Sequence, residues 1–72
     1  MNRYLLAYAH CLVQKAVMLD LQYASKYAKD AETFAMMAYN AITMQQPNAL
    51  RYLLVSKRAY QCAWDYAWSK SE

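Results

Sequence analysis

The chain has 72 residues, no glycine, one proline and a formal net charge of +3. That length makes one domain with a small core, which buries only about 60% of its unfolded surface. Without glycine the tight turns of a sheet protein and the loops that cradle phosphates have no suitable residues, so the class is all-α and nucleotide chemistry of the P-loop or dinucleotide kind is excluded.

Asn2 can cap a first helix over residues 2–18, its side chain accepting from an early backbone N–H. Leu5, Ala9, Leu12, Ala16 and Leu19 keep helical spacing, and Leu6, Val13 and Val17 widen that face. Arg3, His10 and Gln14 share another side. Arg3 followed by the apolar residues 4–13 imitates a secretory signal, but His10 and Lys15 interrupt it and no small-residue cleavage site follows. The segment is therefore read as part of the fold, and the cytoplasm is the expected compartment.

Nothing between Asn2 and Gln46 breaks a helix. A single helix of about 44 residues would run about 66 Å at 1.5 Å per residue. A compact domain of this size has a radius of gyration near 11 Å, so the rod must fold back. Asp20 offers the place. Inside a continuous helix it would point into the apolar arc near Ala9, Val13 and Ala16. As an N-cap it would satisfy orphan N–H groups, with Leu19 and Ala24 placed for a hydrophobic staple. The break is expected within residues 18–21.

The second helix, over residues 20–45, carries the most regular pattern in the chain: Leu21, Ala24, Ala28, Ala31, Ala35, Ala38 and Ile42, in alternating steps of three and four. Five alanines in one stripe let a neighbouring backbone come close. The stripe has two readings. It is the inner seam of the chain's own bundle, or it is a self-association seam (Ala24, Ala28, Ala31, Ala35, Ala38) between two copies. Ala35, Tyr39 and Pro47 fall at tetratricopeptide spacing, but Leu19 and Tyr23 stand where that repeat needs Trp and Gly, so membership does not follow.

Gln46-Pro47-Asn48 is the second break, because proline disfavours helix in the residue before it and suits a first turn. A third helix over residues 48–70 has an inner arc of Tyr52, Leu53, Ser56, Ala59, Tyr60, Ala63, Tyr66 and Ala67. Short connections make neighbouring helices antiparallel. The expected fold is a small antiparallel three-helix bundle with an Ala-rich central helix, forming a single domain over residues 1–72.

Chemistry has little to work with. His10 is the sole histidine, and its i±3 and i±4 neighbours are Leu6, Ala7, Val13 and Gln14. Two distant cysteines, Cys11 and Cys62, give no zinc spacing and are expected to be reduced and buried. Asp30 and Glu32 are two apart and lie on different faces. No enzyme activity, metal or cofactor is expected. The longest uncharged run, residues 33–50, holds Asn40, Gln45, Gln46, Pro47 and Asn48, too polar for a membrane span.

Surfaces are more informative. Charge divides as +2 before residue 19, −1 over residues 19–46 and +2 after that. On the outward arc of the third helix Arg51, Lys57 and Arg58 accompany Leu54, Gln61, Trp64 and Trp68, a basic, aliphatic and aromatic mixture of the kind enriched at binding hot spots. The expected function is a non-enzymatic protein–protein interaction module contacting a larger protein or complex through these residues. In type it is like the compact inhibitors of phages and mobile elements that block a host defence complex. Small basic nucleic-acid binding through Arg51, Lys57 and Arg58, with tryptophans stacking on bases, is the alternative. A structural homodimer on the alanine seam is a third.

Overall fold

The computed structural model describes residues 3–71. They form three helices: α1 Arg3–Gln22, α2 Lys26–Thr43 and α3 Ala49–Ser71. Asn2, the expected cap of α1, lies outside the described residues. The molecule is a spindle of 42 × 16 × 15 Å with a radius of gyration of 12.2 Å. The central helix α2 packs extensively on both others, whereas α1 and α3 meet along a much narrower strip. The antiparallel three-helix bundle expected from the sequence is the fold.

The first break falls later than expected, and its cap is Ser25 rather than Asp20. Ser25 takes an extended backbone (φ −155°, ψ 162°), and its Oγ accepts from the Ala28 N–H at 3.1 Å. Its carbonyl accepts from Lys29 at 3.1 Å, the first bond of α2. Serine and aspartate cap equally well. Placing the break at Ser25 keeps Leu19 helical and buried, its carbonyl accepting from Tyr23 at 2.8 Å. The staple expected around Asp20 therefore does not arise. Asp20 stays in the last turn of α1, where one carboxylate oxygen is buried without a hydrogen-bond partner.

The end of α2 solves a problem peculiar to a chain without glycine. Gln46 N–H donates to the Ala41 carbonyl at 2.8 Å and Gln45 N–H to the Ile42 carbonyl at 3.1 Å. This is the Schellman pairing, which needs a left-handed residue just past the helix. Gln45 supplies it at φ 57°. Pro47 then prevents continuation, and Asn48 leads into α3, its carbonyl accepting from Tyr52 N–H at 3.2 Å.

Ala28, Ala31, Ala35 and Ala38 are completely buried, joined by Ala41 and Ile42. Their small side chains admit α3 so closely that Ser56 Oγ donates to the Ala31 carbonyl at 2.7 Å. The stripe is shorter than expected at its start. Leu21 belongs to α1 and is 81% exposed, and Ala24 lies exposed in the turn. Leu12, Leu19, Ile42 and Leu53 are the large aliphatics of the core. Partly buried Leu5, Leu6, Val13 and Tyr52 close one end, and Tyr23 and Tyr60 the other. A core built on alanine leaves many larger apolar groups outside, both tryptophans among them.

Candidate interaction groove between the first and third helices

Two reversals of direction make α1 and α3 parallel. Leu5 shares its surroundings with Leu53, Leu12 with Tyr60, and Leu19 with Ala67. Both sets advance by seven residues, close to two helical turns, so the same flank of each helix faces the other along their length. With α2 behind them and little contact between them, α1 and α3 leave an open groove on the side away from α2.

Its roomiest part, about 580 Å³, is lined by Tyr8, Cys11, Leu12 and Lys15 of α1 and by Lys57, Tyr60, Gln61, Trp64 and Asp65 of α3. Tyr60 and Trp64, one turn apart, meet edge to face, with ring centroids 6.2 Å apart and planes at 90°. The ring quadrupoles favour that geometry, which holds the indole in place while it stays 41% exposed. Towards the start of α1 the groove continues between Tyr4, Leu5 and Tyr8 on one wall and Leu50, Leu53 and Leu54 on the other. Beside it on α3, a smaller depression of about 460 Å³ is formed by Arg51, Leu54, Val55, Lys57, Arg58 and Gln61.

All seven residues singled out on α3 are exposed. Lys57, Gln61 and Trp64 enter the main groove, and Leu54 its continuation. Arg51 and Arg58 lie on the adjoining depression, and Trp68, 66% exposed, lies at the far end with Gln22, Tyr23 and Ala67. The α1 wall was missed from the sequence. Tyr4, Tyr8, Cys11 and Lys15 are spaced by four, three and four, a helical stripe as regular as the alanines but outside the buried arc.

The thiols differ from expectation. Cys11 and Cys62 are both free and exposed, not buried. Cys11 lines the groove, whereas Cys62 is absent from its lining and, two residues from Trp64, points about 160° away around α3. The self-association seam is occupied within one chain, since its four helical members are covered by the chain's own helices.

Elsewhere chemistry is sparse. His10 is exposed, its Nε2 lies 3.1 Å from the Gln14 amide nitrogen, and its ring tilts against Tyr39 at 6.3 Å. Among the described residues no group of three or more His, Cys, Asp or Glu side chains could hold a metal ion. Among them also no helix is long and apolar enough to cross a membrane. No protein-family model, curated protein or solved structure matches the chain.

Proposed function

We propose that this chain is a non-enzymatic interaction module that binds a larger protein or complex through the face shared by α1 and α3. The observation that carries the reading is the convergence of aromatic and cationic side chains from two helices on one groove: Tyr8 and Lys15 opposite Lys57, Tyr60 and Trp64. A contiguous apolar surface rimmed by charge is uncommon on a small monomer unless something covers it. Tryptophan, tyrosine and arginine are the residues that most often dominate binding energy, and Tyr8, Tyr60 and Trp64 line the groove with Arg51 and Arg58 on the adjoining depression. Occupying a partner's surface, and so blocking it as compact phage-type inhibitors do, asks nothing of the chain beyond this face.

A photo-crosslinking residue at position 61, on the groove, and one at position 33, on an exposed site of α2, test the assignment. In cells that express the chain, a partner should be captured from position 61 and not from position 33. Trp64→Ala should abolish the capture while helicity is retained. Equal capture from both positions would remove the basis for the assignment.

Nucleic acid is the second reading, favoured by the proximity of Lys15, Lys57, Arg51 and Arg58 to an exposed indole. Titration with single- and double-stranded oligonucleotides at two salt concentrations separates the two. Binding that weakens steeply with salt and is lost on removal of Arg51 and Arg58 supports the nucleic-acid reading.

A further inference from the structure

We infer that the groove seats an amphipathic α-helix with acidic flanks, contributed by the partner, lying opposite α2 as the fourth helix of a bundle. This rests on the interaction face proposed above and specifies its occupant. Three observations carry it. The walls are two parallel helices facing each other through residues seven apart, as in four-helix packing, where each new helix drops between two existing ones. Along α1 the groove runs from Tyr4 to Lys15, about 17 Å at the helical rise, the length of roughly three turns. The groove floor is made of side chains and has no strand edge, so an extended peptide would find no backbone partners, while a helix satisfies its own.

Charge selects the sequence of that helix. Lys15 and Lys57 lie in the groove, with Arg51 and Arg58 on the adjoining depression, against one carboxylate, Asp65. Glutamates flanking an apolar stripe would meet these cations. A second copy of this chain would instead bring the same cations against themselves across a two-fold axis, which disfavours self-docking.

The two native thiols provide the assay. The probe is a synthetic 18-residue helix with leucines along one face and glutamates beside them. Its controls are a twin with lysines for glutamates and a twin broken by a central proline. N-ethylmaleimide alkylation of the intact chain is followed at Cys11, in the groove, and at Cys62, outside it. The acidic helix at saturation should slow Cys11 at least about tenfold and leave Cys62 within about twofold. Lys15→Glu combined with Lys57→Glu should transfer that protection to the lysine twin, with helicity checked by circular dichroism.

Equal protection by the acidic and lysine helices, or by the proline-broken one, overturns the inference. So does protection of Cys11 that rises with chain concentration without probe, which marks self-association, or protection by an oligonucleotide alone. If no helix protects Cys11 while capture from position 61 persists, the helical occupant is wrong and the interaction face stands.

Discussion

Ser56 is the one fully buried polar side chain among the described residues, and its hydroxyl donates to the Ala31 carbonyl of the facing helix at 2.7 Å. The bond sits on the buried seam between α2 and α3, and the small side chain of Ala31, itself fully buried, leaves room for it. The hydroxyl finds its acceptor in a carbonyl that also serves its own helix. Removing it should therefore leave no unsatisfied group behind. Ser56→Ala is expected to cost about 0.5–1.5 kcal/mol in urea unfolding. Ser56→Leu should cost more, about 1–3 kcal/mol, because the seam has no room. Equal stability of wild type and Ser56→Leu would mean that the two helices are less tightly seated than described.

Gln45 holds a left-handed conformation, φ 57°, at the end of α2. Glycine takes that region without the Cβ clash. Gln45→Gly is expected to raise stability by about 0.5–1 kcal/mol despite its looser unfolded state, a rise of roughly 2–8 °C in melting temperature for a domain of this size. Gln45→Val should lower it, since a β-branched side chain tolerates positive φ poorly. A melting temperature lowered by glycine would show that the Schellman turn does not persist in solution.

The first turn offers two changes of opposite sign. Ser25→Ala removes the Oγ that accepts from Ala28 and should cost about 1 kcal/mol. Asp20→Ala removes a carboxylate whose buried oxygen has no partner, and removes negative charge from the C-terminal turn of α1, where the helix dipole opposes it. It should stabilise by about 1 kcal/mol. Were Asp20 the cap, the two substitutions would behave the other way round, so one pair of denaturation curves decides the site of the turn.

Two thiols per chain should react with a thiol reagent in native buffer without denaturant, because both cysteines are exposed and free. Reaction of fewer than two before unfolding would contradict that exposure.

The interior was largely legible in the sequence. Ala28 to Ile42 writes the seam in helical steps, Leu12 and Leu19 continue the α1 face, and Pro47 marks the second reversal. The sequence points too early for the first reversal because avoiding a buried carboxylate favours Asp20 as the cap, while nothing local marks Ser25, which caps equally well, as the residue used. Instead the fold accepts that burial in exchange for about one more turn of continuous face ending near Leu19 and Tyr23. The α3 half of the groove was legible because Trp64 and Leu54 exceed what one buried stripe needs. The α1 half was not. Tyr4, Tyr8, Cys11 and Lys15 form a stripe, but whether it meets another helix or open water depends on how α1 is rotated against α3. That rotation is fixed by packing on α2, a property of no local segment. Exposure of Cys11 follows from the same rotation, since it lies about 100° around the helix from buried Leu12.

The groove's walls are the first and last helices, and each packs far more on α2 than on the other. Anything that lies between them grips both at once and meets a surface that exists only when both are docked. Such a ligand binds the assembled bundle and not the open chain, so occupancy registers as heat resistance. At a free concentration one hundred times its Kd it would add about 2.7 kcal/mol to folding. For a domain of this size that is a rise of roughly 10–20 °C in melting temperature. Few ligands need be identified in advance for such a shift to be seen: a melting curve turns the thin contact between two helices into a detector for whatever completes it.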